Sequence, residues 1–266
     1  MSRQRVGRRQ LEQLRDQLSP RDLAVLESSR RFRLATGDQL RRLHFRDHAT
    51  PETGARVARR VLSRLTGHGL LVRLDRRIGG IRAGSAGHVY ALSALGHRVV
   101  GTETRKRTTE PSFTFLKHTL AITELSTTLI ELDTANQIDL LELQPEPAAW
   151  RTHRVGLVEN TLKPDLFAKV ADDEYELNWF IEIDCGTESR PTIQRKCHAY
   201  ADYRRTGTEQ ERHGIFPLVL WIAPDERRRT QLAQAIDGDR RIDPDLFVVT
   251  TSDKATEVIT DTDRQP

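Results

Sequence analysis

Asn178-Trp179-Phe180-Ile181-Glu182-Ile183-Asp184, running into Cys185-Gly186-Thr187-Glu188-Ser189, is the stretch on which the reading of this chain turns. Its apolar run ends in two acids spaced two residues apart. On a strand that spacing sends both side chains from one face. Upstream, Pro164-Asp165 opens a second apolar segment, Leu166-Phe167-Ala168-Lys169-Val170. If the two segments pair, Asp165 joins Glu182 and Asp184, and three carboxylates converge. Neighbouring acids repel, and proteins commonly tolerate such a group by binding a hard cation, Mg²⁺ or Mn²⁺, through oxygen ligands. Such an ion would polarise a phosphodiester and activate water. The same residues also suit a simpler arrangement, a solvated hairpin with acidic ends.

Working outward, Phe113 to Leu132 predicts a helix with Phe115, Leu116, Leu120, Ile122, Leu125 and Leu129 spread around its circumference, which implies burial. Glu124 within it either faces a partner or shares an exposed stripe with Lys117. Strands are expected over 138–143, 162–170 and 176–184. A helix over 190–204, capped by Ser189, carries Lys196, Tyr200 and Tyr203. A strand over 216–222, a helix over 227–236 and a strand over 246–250 complete residues 113–250 as an α/β sandwich with a central mixed sheet. Residues 251–266 read as a loose tail.

The amino-terminal residues 1–98 read differently. Ser19-Pro20 is a helix start, Thr36 a second cap, and Glu52 to Thr66 a longer helix with Val57, Val61, Leu62 and Leu65 inward. Arg56, Arg60 and Arg64 recur every four residues on another face, with Arg59 beside them. Strands over 70–74 and 88–92 flank a basic tip containing Arg76, Arg77 and Arg82. Three helices and a basic hairpin make a winged helix-turn-helix, whose third helix would enter the major groove of double-stranded DNA. Arginine forks suit both phosphates and guanine edges. Residues 99–112 read as a linker and residues 1–10 as a basic arm.

Charge separates the two halves. Residues 1–110 hold 24 Lys and Arg against 10 Asp and Glu, whereas residues 111–266 hold 18 against 28. The first balance favours a polyanion, through release of condensed counterions; docking of a basic half on an acidic one is the alternative. No apolar run approaches the length of a membrane span. Two cysteines, Cys185 and Cys197, exclude a disulfide framework and fit a cytoplasmic setting. A P-loop, a dinucleotide-binding glycine pattern and zinc-ligand spacing are all missing from the sequence.

Asp165, Glu182-Ile183-Asp184, Lys196 and Tyr200 together resemble the core of the PD-(D/E)XK nucleases, with one departure: Asp184 stands where that pattern has its lysine. The resemblance implies that Lys196 supplies the ammonium from the following helix and that Glu124 is aimed at the site. Over about residues 15–250 the chain is similar to the replication-relaxation family of actinobacterial plasmid and mobile-element proteins. That likeness rests on Leu116-Lys117-His118 through Glu124-Leu125, on Lys163-Pro164-Asp165, and on Phe180 through Ser189. It implies replication, relaxation or mobilisation of plasmid or integrated-element DNA by an Mg²⁺- or Mn²⁺-dependent endonuclease or nickase, with Asp165, Glu182 and Asp184 as metal ligands. The alternative is a non-catalytic regulator that keeps the nuclease fold for dimerisation or for contacts with plasmid replication or transfer proteins. A third reading makes Tyr200 or Tyr203 a nucleophile.

Overall fold

The computed structural model describes residues 7–78, 87–101, 112–171 and 175–261, a mixed α/β chain in two compact units, Met1–Thr127 and Thr128–Pro266.

The first unit runs α1 (Arg8–Asp16), α2 (Pro20–Arg31), β1 (Leu34–Thr36), α3 (Gly37–His44), α4 (Pro51–Gly67), β2 (Leu71–Ile78), β3 (Gly87–Leu92) and α5 (Ala94–Val99), followed by the first part of α6 (Phe113–Thr134). Its helices begin where short polar side chains can take the orphan N–H groups. The Ser19 hydroxyl accepts from the Asp22 N–H at 3.2 Å, while the Asp22 carboxylate accepts from the Ser19 N–H at 2.9 Å. Thr36 and Gln39 repeat this reciprocal pair at 3.1 and 2.8 Å, and Thr50 caps α4 at 3.2 Å. The strands form one antiparallel sheet in the order β1-β3-β2. Val25, Leu26, Leu40, Leu62, Leu65 and Leu70 make the core. Gly96 is obligatory at the start of α5, because a Cβ there would lie 2.3 Å from the Leu70 carbonyl oxygen.

Three sequence expectations change here. Helix α1 occupies part of the expected basic arm, since Leu11 and Leu14, three residues apart, pack onto the core. Helix α5 was not anticipated and precedes the expected linker, of which residues 102–111 lie outside the described residues. The two units divide within α6, at Thr127, and its first half packs on the amino-terminal sheet: Leu116 and Leu120 cluster with Leu34, Leu74, Val89 and Ala91.

The second unit holds a five-stranded mixed sheet in the order β10-β9-β8-β7-β4. Its strands are β4 (Asp139–Pro145), β7 (Leu166–Ala171), β8 (Glu176–Ile183), β9 (Leu218–Ala223) and β10 (Phe247–Thr251). β4 and β7, and β7 and β8, pair antiparallel; β8 and β9, and β9 and β10, pair parallel through helical crossovers. Helices α7 (Arg190–Arg204) and α9 (Glu226–Asp237) cover one face, where Ile193, Tyr200, Leu232 and Ile236 pack with Phe180 and Trp221. Trp179, of opposite parity on β8, donates its indole N–H to the Ile259 carbonyl at 3.2 Å on the other face. That contact fixes α10 (Ala255–Thr260) where a loose tail was expected; Ala255, Val258 and Ile259 bury a short helical stripe. A separate hairpin, β5 (Arg151–Val155) with β6 (Val158–Leu162), takes Leu162 away from the strand expected to begin there, and α8 (Thr208–His213) follows α7.

Candidate functional site

Antiparallel pairing of β7 with β8 sets Leu166 opposite Ile181, so Asp165 falls beside Glu182 at the ends of these strands. Asp165 donates its N–H to the Ile181 carbonyl at 3.1 Å, and its Oδ2 accepts from the Ile183 N–H at 2.8 Å. The side chain thus extends the ladder past the last regular residue of β7. Glu182 is 2 % exposed. Its Oε1 accepts from the Tyr200 hydroxyl at 2.6 Å and its Oε2 from Lys196 Nζ at 2.8 Å. Lys196 and Tyr200 lie one turn apart on α7, a spacing that puts both over the same acid. Lys196 also donates to Glu188 Oε1 at 2.6 Å and sits over the Trp221 ring at 5.4 Å.

Electrostatics follow from this crowding. Burial, then repulsion by Asp165, pushes the Glu182 carboxyl up to about 7 against the pull of Lys196 and Tyr200. Burial disfavours the Lys196 ammonium, but Glu182 and Asp165 outweigh it and hold the group charged above the usual lysine range. Burial and the neighbouring Glu182 raise the Tyr200 phenol well above its ordinary value.

Asp184 shares the face of Glu182, as the two-residue spacing predicts, but takes a different partner. Arg228 of α9 donates to its two oxygens at 2.6 and 3.2 Å, and to the Glu188 carbonyl at 2.6 Å. The three acids therefore do not converge on one point. Asp165 and Glu182 adjoin, Lys196 supplies the ammonium beside them, and Asp184 belongs to an arginine. Among the described residues no group of three or more His, Cys, Asp or Glu could hold a metal ion. Both Glu182 oxygens and both Asp184 oxygens accept charge-assisted or hydroxyl bonds, from Lys196 and Tyr200 and from Arg228 respectively.

The remaining expected site residues fall as follows. Glu124 lies on the exposed stripe of α6 with Lys117, accepts from Gln39 Nε2 at 2.9 Å and pairs with Arg42 of α3. It serves the first unit, because α3 presents both donors to that face of α6. Tyr200 and Tyr203 are buried, the latter donating to Glu209 at 2.6 Å, so neither phenol is placed as a nucleophile. Ser189 does occupy the cap position of α7, but its hydroxyl meets the Thr192 hydroxyl and caps no N–H. Cys185 and Cys197 are free thiols.

On α4, Arg56, Arg59 and Arg60 are exposed, and among the described residues no acid pairs with them; Arg59 Nε donates to the Ala55 carbonyl at 3.2 Å. Arg64 departs from the stripe. It donates to Asp22 at 2.6 Å, and Asp22 is 1 % exposed. Arg76 and Arg77 lie on β2, with side chains outside the described residues, and Arg82 lies wholly outside them.

Sequence reading missed Arg228 and the buried pair Arg151–Glu209, 2.9 Å apart. Arg228 stands 44 positions from Asp184 on a helix whose polar residues look solvated, so no local spacing could have marked it. Neither of the two acids bonded by Lys196 lies within one helical turn of it, and only the strand order reveals the contact.

No helix among the described residues is long and apolar enough to cross a membrane. The model of the replication-relaxation family matches residues 26–219, from within α2 into β9, a span that contains α4, the β5–β6 hairpin and the Asp165–Glu182–Lys196 cluster. No curated protein and no solved structure matches the chain.

Proposed function

The chain belongs to the replication-relaxation family, a membership that suggests a role in plasmid replication and relaxation, and we propose that it does this work as a duplex-DNA-binding protein whose second unit is a non-catalytic, nuclease-like body. The element order of the first unit, helix, strand, helix, helix and hairpin, supports a winged helix-turn-helix with α4 as the helix that enters the major groove. The observation that carries the reading is the trio Arg56, Arg59 and Arg60. They stand exposed, with no acidic partner among the described residues, the condition in which guanidinium groups release counterions from a phosphate backbone.

The second unit's order, a helix, antiparallel strands, α7 and then a parallel strand, supports a PD-(D/E)XK-like sandwich. What supports a non-catalytic role is its internal neutralisation. Lys196 is spent on Glu182 and Glu188, and Arg228 on Asp184. Such a body would serve self-association or contacts with other plasmid proteins.

A second reading, metal-dependent nicking, is favoured by one observation: Asp165 and Glu182 stand side by side, and burial together with their repulsion raises the Glu182 pKa. The two are separated by incubating supercoiled plasmid with the protein and Mg²⁺ or Mn²⁺, beside a chelator control. The first reading expects retarded plasmid that stays supercoiled under every metal. Open-circle product that disappears with chelator and with Lys196→Ala would replace it.

A further inference from the structure

The β5–β6 hairpin is anchored at one end and bare at the other. At its root Arg151 is buried, donates to the fully buried Glu209 at 2.9 Å, and packs its guanidinium over the Phe167 and Phe180 rings at 4.9 and 5.5 Å. At the tip, Val155 pairs with Val158 around Gly156-Leu157. Gly156 has φ +62, the left-handed geometry that a two-residue hairpin turn with Gly in first place requires. Leu157 is fully exposed, at 104 %, and Val158 is 61 % exposed. Water around a bare leucine and valine at an apex is unfavourable, by about 25 cal/mol for each Å² left uncovered.

The flanks narrow the choice of what covers them. Thr152, Arg154, Asn160 and Thr161 are exposed hydrogen-bonding side chains. Below them Lys163 sits over the part-exposed Trp150 ring at 4.9 Å. With Arg151 committed to Glu209, the exposed charges of residues 150–163 are Arg154 and Lys163 against Glu159, which stands opposite Arg154, a small cationic excess in a half of the chain where acids outnumber Lys and Arg 28 to 18. A stable contact with a second protein surface needs roughly 1,200 Å² in total, which two apolar side chains cannot provide. A two-stranded ribbon with polar, basic flanks and an apolar tip matches what duplex DNA accepts in its minor groove, where apolar side chains wedge between base steps.

We propose that the β5–β6 ribbon enters the minor groove of duplex DNA, with Leu157, backed by Val158, wedged at a base step and Arg154 against the phosphates. This rests on the reading of the chain as a DNA-binding protein and adds a contact in the second unit that deforms the duplex. A wedge unwinds the helix, so the full chain bound to closed circular plasmid during treatment with a type I topoisomerase should leave the purified DNA with a lowered linking number. The double variant Leu157→Ser/Val158→Ser should unfold within a few degrees of the native chain, because both side chains lie on the exposed tip and outside the core. It should still retard the plasmid in a gel, yet lose more than half of the linking-number change. An equal change with the variant, or native protein that retards plasmid without changing its linking number, overturns the wedge and leaves DNA binding intact. Failure to retard plasmid at all overturns both. A native dimer that becomes monomeric in the variant assigns the tip to a second copy and also overturns it.

Discussion

The two units use their cations in opposite ways. On α4, Arg56, Arg59 and Arg60 are exposed, and among the described residues no ion pair engages them. In the second unit, Arg151, Lys196 and Arg228 are each bonded to a buried or half-buried acid. A cation left without a partner at a surface keeps its charge available to an external polyanion. A cation enclosed with an acid has spent that charge on holding elements together. Net charge by itself blurs this, since both units are rich in arginine. Arg64 shows that the rule runs by residue: it lies on the same helix as the free trio, yet it is committed to Asp22.

Substitutions should expose the difference, and the largest effect is expected at Arg151. Arg151→Leu takes from the fully buried Glu209 carboxylate its closest cation, leaving the Tyr203 hydroxyl as donor with His213 at 3.4 Å and Arg212 at 4.0 Å. Breaking a buried pair in this way costs about 3–5 kcal/mol, which chemical denaturation will read directly. Arg56→Leu should change stability by less than about 0.5 kcal/mol. Equal effects would erase the distinction between the units.

Next in size is a pH effect at Glu182. Its folded-state pKa, about 7, lies above the ordinary 4.5, so the folded protein holds this proton more tightly than the unfolded chain does. The stability contributed is present below about 4.5 and is lost as pH rises through about 7. Glu182→Gln removes that dependence. The unfolding free energy of the variant minus that of the native chain should therefore climb across this window and level off above it. A difference that stays flat from pH 4 to 8 would contradict the assignment.

Tyr200→Phe should follow, at about 1–3 kcal/mol, because it deletes one of the donors to a buried carboxylate. Arg64→Ala should cost less, about 1 kcal/mol, since its side chain is 43 % exposed and water screens the pair. Burial disfavours the Asp22 carboxylate, but the Ser19 N–H and hydroxyl join Arg64 in holding its pKa below the usual range. Thermal unfolding of Arg64→Ala beside Arg60→Ala checks this: only the first should shift.

How much of this was legible in the sequence follows from how local each signal is. Ser19-Pro20, Thr36 and the apolar stripe of α4 are short-range patterns, and the helices stand where those patterns put them. Glu182 and Asp184 leave one face because strand periodicity is local too. The β5–β6 hairpin was missed because Gly156-Leu157 carries neither Asn-Gly nor Asp-Gly, the strong hairpin signals. α10 was missed because a six-residue helix shows only one stripe. The destination of Asp184 was not legible at all. It depends on α9 packing on β9, the parallel neighbour of β8, a consequence of sheet order, and the partner that this brings is Arg228.

The claim at the centre of this account is that the three unpaired arginines of α4 bind duplex DNA, and the salt dependence of binding tests it most directly. Affinity of the full chain for a plasmid-derived duplex should fall linearly in log–log form as salt rises, and each phosphate contact adds roughly 0.9 to the slope. Arg56→Ala/Arg59→Ala/Arg60→Ala should fold normally, bind more weakly at low salt and show a slope smaller by about 2–3. A triple variant with the native slope and native affinity would contradict the account.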